Sequence, residues 1–284
     1  MLFVDRSSPT PLIMFYVMKH DLSYGMMVTA SHNPAIYNGI KVFTRGGRDA
    51  DEHQTADIEK YLEQAEKLYV PDPEENGQMP PHAYQELVKS GRVVEMNPMN
   101  EYLDNIISLI NLDAIRERDL RIAIDPMYGV SLTALCTILS IARCTVETIN
   151  SQHDTLFGGK MPAPTESKLR SLQNYVLDRY CDIGIATDGD ADRLGVIDDK
   201  GHYLHANTIL VMLYYYLLKY RGWRGPAVRN LSTTHVLDKV AESFGQKCYE
   251  VPVGFKYISA KMQETDAIIG GESSGGLTVK GHIH

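Results

Sequence analysis

From Leu120 onward, short β-rich runs alternate with stretches of helical periodicity, and no other feature narrows the fold as far. Residues 120–125, 144–149 and 182–187 read as strands. Between them, 130–142 sets Leu132, Leu135, Cys136 and Leu139 on one helical face, and 166–180 does the same with Leu169, Leu172, Val176 and Leu177. A second series follows, with helices at 206–220, 234–244 and 255–264 and strands at 227–231, 247–251 and 266–270. Alternation of this kind predicts an α/β fold, helices packed on sheets with parallel strands.

The first part is different. Residues 26–30 and 40–43 read as strands, and 51–68 as a helix with Ile58, Tyr61, Leu62 and Ala65 on one stripe. The Pro- and acid-rich stretch 70–81 reads as an exposed loop. So few strands before residue 110 look like an incomplete layout, and the chain stops just after a promising strand. The expectation is a fragment of something longer. A length of 284 residues suggests about two domains on its own.

Composition excludes several partner classes. Lys and Arg number 28 against 36 Asp and Glu, for a formal charge of −8, and no basic run is dense enough to follow a phosphate backbone. Nucleic acid is not an expected partner. The longest apolar stretch, 209–218, stops at Lys219, well short of the roughly 20 residues a spanning helix needs. It reads as a buried helix, and no membrane partner is expected. Asp5, Arg6, Pro9 and Pro11 break up the amino end, which rules out a signal peptide there. Cys136, Cys144, Cys181 and Cys248 form no C-x-x-C pair, so the simplest compartment is the cytosol.

Three loops at strand ends carry the chemistry. The first is Thr29-Ala30-Ser31-His32-Asn33-Pro34, where a serine can offer its hydroxyl to a cleft while Asn-Pro fixes the turn. Ser31 can equally serve as a turn cap, and the loop lacks the G-x-S-x-G pattern of a hydrolase elbow. The second is Asp188-Gly189-Asp190-Ala191-Asp192-Arg193. Carboxylates at alternate positions of a tight loop can converge on one point, where their repulsion calls for a hard cation such as Mg²⁺. A solvated acidic turn is the plainer alternative. An EF-hand fails, because Arg193 stands where glycine is required and Asp199 where glutamate belongs. The third is Gly270-Gly271-Glu272-Ser273-Ser274-Gly275-Gly276, whose glycines let backbone approach a ligand and whose carboxylate and hydroxyls suit sugar hydroxyls. It is not a P-loop, and a Gly-rich hairpin with no ligand is its alternative.

Taken in order, Thr-Ala-Ser-His-Asn-Pro, Asp-Gly-Asp-Ala-Asp-Arg and Gly-Glu-Ser-Ser-Gly resemble the α-D-phosphohexomutase superfamily of phosphoglucomutases and phosphomannomutases. Pro9-Thr10-Pro11, Asn38-Gly39-Ile40-Lys41 and Val253-Gly254-Phe255-Lys256 agree with it, so that the likeness spans nearly the whole chain. The resemblance implies consecutive α/β domains with mixed sheets: a partial first domain at 1–115, a second at 116–205 and most of a third at 206–284. It also implies an upstream segment and a fourth domain with an Arg-x-Ser-Gly-Thr type loop, neither of which is in the sequence.

In the resembled family the serine, here Ser31, carries a phosphoryl group, donates it to a sugar monophosphate and recovers it from the other position of the bisphosphate. The resemblance makes Asp188, Asp190 and Asp192 ligands of one Mg²⁺, with Ser31 contributing an oxygen through its phosphate. It makes Lys41 a candidate general acid/base, Arg193 a bridge to the transferring phosphate and His32 a support for the phosphoserine. Gly254, Lys256, Glu272 and Ser274 would contact the sugar phosphate. Gly276 departs from the histidine that phosphomannomutase/phosphoglucomutase enzymes place there.

The expected function is therefore an intramolecular phosphotransferase acting on sugar 1- and 6-phosphates, primed by glucose 1,6-bisphosphate, most simply a phosphoglucomutase/phosphomannomutase. Phosphopentomutase, phosphoglucosamine mutase, a metal-dependent sugar phosphatase and a non-catalytic binding fragment are the alternatives. Lacking a fourth-domain phosphate anchor, this piece is expected to bind Mg²⁺ poorly or moderately and to turn over little. Oligomeric state is not legible in the sequence.

Overall fold

The computed structural model of the chain describes residues 1–68 and 81–283. The amino-terminal part holds β1 (Leu2–Val4), α1 (Thr10–Lys19), β2 (Tyr24–Val28), β3 (Ile40–Thr44), β4 (Arg48–Asp49), α2 (Glu52–Leu68), α3 (Pro81–Lys89), β5 (Val94–Met96), α4 (Met99–Leu109) and α5 (Leu112–Arg116). The middle holds β6 (Arg121–Asp125), α6 (Leu132–Ile141), β7 (Thr145–Thr148), α7 (Arg170–Asp178), β8 (Ile183–Thr187), β9 (Leu194–Asp198) and β10 (Tyr203–Leu204). The last part holds α8 (Ala206–Lys219), β11 (Ala227–Asn230), α9 (Val236–Ser243), β12 (Cys248–Val251), α10 (Phe255–Thr265), β13 (Ile269–Gly271) and β14 (Leu277–Val279).

The fold is α/β with mixed sheets. The middle sheet runs β10-β9-β8-β6-β7, with β7, β6 and β8 parallel and β9 turning back antiparallel to β8. The last sheet repeats the scheme as β12-β11-β13-β14, three parallel strands closed by an antiparallel edge. In the first part β2, β3 and β4 form an antiparallel sheet, while β1 pairs in parallel with β5.

The stripes of α7 and α10 find sheets to cover, whereas α6 buries Ala134 and Ile138 in the amino-terminal cluster with Leu12, Phe15 and Tyr102 and leaves its expected stripe, Leu132, Leu135, Cys136 and Leu139, only partly buried. On α7, Leu172 and Val176 are fully buried against Ala123 and Ile197 of the middle sheet. On α10, Ile258 and Met262 pack on Val228 and Val251. Burying each such side chain contributes about 1.5–3 kcal/mol, enough to decide which face of the helix turns inward.

Two early segments depart from the sequence reading. The sequence reading assigns no element to residues 10–19, where α1 forms: Pro9 is its N-cap residue and Pro11 lies in its first turn, where a missing N–H costs nothing. The helix buries Leu12, Met14, Phe15 and Val17 on more than one face, so it carries no clean period to detect. The helix predicted at 51–68 forms as α2, but its stripe is not a core face. Tyr61 and Leu62 remain 71% and 57% exposed; periodicity specifies a helix without specifying a neighbour to cover it. The loop predicted at 70–81 lies outside the described residues except for Pro81, which begins α3. Among the described residues no helix is long and apolar enough to cross a membrane.

Three connections matter for chemistry: β2 to β3, β8 to β9, and β13 to β14. Each leaves the carboxyl end of its first strand, the end at which α/β sheets present ligand sites.

Candidate active site

The β2–β3 connection is closed by Thr29 N–H donating to the Gly39 carbonyl at 3.0 Å. Inside it, Ser31 sits at φ 53°, a left-handed conformation that costs a non-glycine residue about 1–3 kcal/mol. Its backbone N–H is held by Thr29 Oγ1 at 2.8 Å. The strain places the Ser31 hydroxyl over the β8–β9 loop, where it donates to Asp188 Oδ2 at 3.4 Å.

The β8–β9 loop folds around one of its own carboxylates. Asp188 Oδ1 accepts from the backbone N–H groups of Asp192 and Arg193, both at 3.0 Å. The tight turn needs Ala191 at φ 61° and brings a carboxylate oxygen from each of Asp188, Asp190 and Asp192 within 4.8 Å of one another. Asp188 is fully buried and Asp190 is 3% exposed. Burial, with the Asp192 and Asp190 charges next, pushes the Asp188 carboxyl up to about 9.

Lys41, the second residue of β3, offsets part of this charge. Its ammonium donates to Asp190 Oδ2 at 2.8 Å and to Asp192 Oδ2 at 2.6 Å. Burial alone would lower its pKa, but Asp192 and Asp190 outweigh that and hold it raised. Burial also works on Asp190, raising it; Lys41, then the hydroxyls of Thr10 and Thr29, prevail and keep it low. His32 Nδ1 lies 3.4 Å from Ser31 Oγ. Burial first and Arg193 second pull this imidazole below its ordinary value. The Arg193 guanidinium reaches Asp192 Oδ1 at 4.0 Å, an ion pair too long to be a hydrogen bond.

The donor set fits a hard divalent cation. Asp190 Oδ1 and Asp192 Oδ1 are buried with no hydrogen-bond partner, and three clustered carboxylates with one lysine leave negative charge uncompensated. Oxygen-only donors of this kind suit Mg²⁺. Asp188, Asp190, Asp192 and Ser31 are the residues that would hold it.

The β13–β14 loop abuts the same site. Its Gly275, at φ 100°, accepts from the Leu194 N–H at 3.3 Å, directly after Arg193. Glu272 is held through both oxygens: Oε1 accepts from Asn230 Nδ2 at 2.8 Å and from Gly254 N at 3.0 Å, while Oε2 accepts from Ser274 Oγ at 3.2 Å. Lys256 is engaged elsewhere, its ammonium 2.7 Å from Glu52 Oε1 at the start of α2.

The candidates therefore fall into two touching groups, with one outlier. Ser31, His32, Lys41, Asp188, Asp190, Asp192 and Arg193 converge, Gly254, Glu272 and Ser274 form the neighbouring wall, and Lys256 faces α2. Sequence reasoning missed Thr10, Thr29 and Asn230. Asn230, 1% exposed at the end of β11, had a signal in hindsight: an amide closing an apolar strand run wants a partner. Thr10 and Thr29 stood inside quoted motifs with nothing to set them apart.

Gly189 makes the convergence possible. A Cβ there would stand 2.9 Å from the Ser31 carbonyl oxygen and 3.2 Å from the Phe157 ring. Gly189→Ala is expected to push the serine and acid loops apart and destabilise the fold by about 1–3 kcal/mol. Urea unfolding checks this, and an unchanged midpoint would contradict the close approach.

Comparison with known proteins bears on the family and the fold. Residues 2–69, 100–201 and 205–284 match the family models for phosphoglucomutase/phosphomannomutase alpha/beta/alpha domains I, II and III, respectively. The phosphoglucosamine mutase of Methanococcus vannielii is 30% identical over 272 residues, covering 94% of this chain and 56% of that protein. A phosphoglucomutase/phosphomannomutase of Thermococcus kodakarensis is 27% identical over 270 residues, 95% of this chain and 56% of the relative. The chain spans about half the length of the curated relatives it matches. A crystal structure from Thermus thermophilus, named as a phosphomannomutase, superposes with TM-score 0.84 at 27% identity over 99% of this chain and 60% of that one. An Aspergillus fumigatus N-acetylphosphoglucosamine mutase, solved with GlcNAc-6P and magnesium, shares the fold at TM-score 0.55 and 15% identity, over 95% of this chain and 64% of its own.

Proposed function

The chain belongs to the phosphoglucomutase/phosphomannomutase family, and on that footing we propose that it carries the phosphoserine, metal and sugar loops of a mutase interconverting hexose 1- and 6-phosphates. Ser31 is the phosphoryl carrier. Its phosphoester O–P bond breaks as a bond forms from phosphorus to a sugar hydroxyl oxygen, and the proton the hydroxyl loses passes in net to the Ser31 oxygen, giving a bisphosphate and free serine; the reverse step at the other position restores the phosphoserine. When bound, Mg²⁺ neutralises phosphate oxygens and aligns the transferring group.

The chain's own residues do the rest. Asp188, Asp190 and Asp192 hold the cation beside Ser31. Lys41, held by Asp190 and Asp192, serves as the general acid/base of the sugar hydroxyl, relaying the proton exchanged in each transfer. Arg193 can bridge the transferring phosphate with its planar fork. His32 hydrogen-bonds the serine oxygen. Glu272 and Ser274 offer acceptors to adjacent sugar hydroxyls, which allows two sugar orientations in one site. Gly254 supports Glu272 through its N–H, and Lys256 becomes a phosphate contact once it leaves Glu52.

The observation that carries this reading is the Ser31 hydroxyl 3.4 Å from Asp188, within a three-carboxylate cluster more than a hundred residues away in sequence. Relatives named for glucosamine phosphate make that sugar the first to assay, ahead of glucose and mannose phosphates. Incubation with ³²P-labelled glucose 1,6-bisphosphate and Mg²⁺ should label Ser31. Stoichiometric release of inorganic phosphate would favour a phosphatase instead, and sugar-phosphate binding without label would favour a binding module.

A further inference from the structure

The most unusual feature of the acid loop is how unevenly its central carboxylate is loaded. Asp190 Oδ2 accepts three donors: Thr10 Oγ1 at 2.8 Å, Thr29 Oγ1 at 3.2 Å and Lys41 Nζ at 2.8 Å. Asp190 Oδ1 is buried and accepts none. Two carboxylate oxygens together offer about four acceptor positions, yet all three donors crowd onto one oxygen. A half-turn about the last side-chain bond would exchange the oxygens, and the three donors hold the group against it.

The donors come from separate elements. Thr10 opens α1, is 2% exposed, and also gives its backbone N–H to the Asp190 carbonyl at 2.9 Å. It therefore grips Asp190 at both backbone and side chain. Thr29 sits in the serine loop. A hydroxyl has one proton and two lone pairs, and Thr29 uses both capacities: it donates to Asp190 and accepts the Ser31 N–H at 2.8 Å. One oxygen thus joins the strained backbone of the proposed nucleophile to the orientation of a proposed metal ligand.

We propose that Thr10 and Thr29 are positioning residues of the divalent-cation site, directing Asp190 Oδ1 to the ion, and that Thr29 in addition couples this ligand to Ser31. The inference rests on reading the three aspartates as a metal site and deepens that reading. Groups that orient a metal ligand typically change affinity by about 10- to 100-fold when lost, although they never touch the ion.

The test is Mn²⁺ binding, followed by the electron paramagnetic resonance of free Mn²⁺ in titrations of the chain and its variants. Thr29→Val and Thr10→Val keep the side-chain shape and remove the hydroxyl; each is expected to raise the Kd by about 10- to 100-fold. Thr29→Ser restores the hydroxyl and is expected to bind within about threefold of the parent chain. Urea unfolding without metal verifies that each variant is native, and Thr29→Ala carries the same expectation if valine disturbs the packing. The inference is overturned if a natively folded valine or alanine variant binds within twofold of the parent, or if Thr29→Ser is as weak as Thr29→Val. Failure of the parent chain itself to bind Mn²⁺ would overturn the metal reading and this inference together, which separates the two failures.

Discussion

Ser31→Ala is expected to abolish phosphoryl uptake from labelled glucose 1,6-bisphosphate, a fall of at least about a thousandfold, and to remove mutase turnover wherever the protein shows it. The size of the effect follows from the proposed role: a covalent carrier has no partial substitute, and losing a nucleophile that works within a unit removes most of what the unit contributes. The fold should scarcely notice. Ser31 is only half-buried and its hydroxyl makes long hydrogen bonds, 3.4 Å to Asp188 and 3.4 Å to His32. The positive φ at this position is equally strained for serine and alanine, so that cost cancels in the comparison. Intact-mass measurement of the labelled chain reads uptake and urea unfolding reads stability. Label retained on the variant would assign the carrier to another residue.

Asp190→Asn is expected to weaken the metal site more than it weakens the fold. The amide nearly matches the carboxylate in shape but replaces one oxygen with an NH₂ group. If the NH₂ faces Thr10, Thr29 and Lys41, donors confront donors; if it faces inward, the ion meets a donor in place of an acceptor. Either way Mg²⁺ or Mn²⁺ affinity is expected to fall by about 100-fold, with Ser31 labelling falling in step. The metal-free fold is expected to lose about 1–3 kcal/mol, because Lys41, Thr10 and Thr29 together stabilise the Asp190 charge that the substitution removes, while Asp192 still pairs with Lys41 at 2.6 Å. Mn²⁺ titration beside urea unfolding checks both halves. Unchanged metal affinity would count against the three-carboxylate site.

What could be read in advance follows from the range of the interactions. The alternation after Leu120 survives into two mixed sheets with parallel cores because helices such as α7 cover a sheet and keep an apolar stripe, here Leu172 and Val176, whereas α6 turns Ala134 and Ile138 to the amino-terminal cluster. The same reasoning failed on α1, buried on several faces, and overreached on α2, whose Tyr61 and Leu62 remain exposed. Short motifs exposed the three chemical loops, because glycine, proline and alternate acids signal turns locally. Their mutual distances were not local information. The meeting of Ser31 with Asp188 depends on Gly189 lying flush against the serine loop, and on the Thr10 N–H docking onto the Asp190 carbonyl. For the same reason Thr10 and Thr29 were invisible as partners of Asp190, and Lys256 gave no hint that Glu52 would hold it.

The account stands on one shared ion between the serine loop and the acid loop. Anomalous diffraction from Mn²⁺-soaked crystals tests it directly. The predicted result is a single peak within about 2.0–2.6 Å of a carboxylate oxygen from each of Asp188, Asp190 and Asp192, on the side facing Ser31 Oγ. A saturated crystal with no peak there, or with the ion bound away from these three carboxylates, would contradict it.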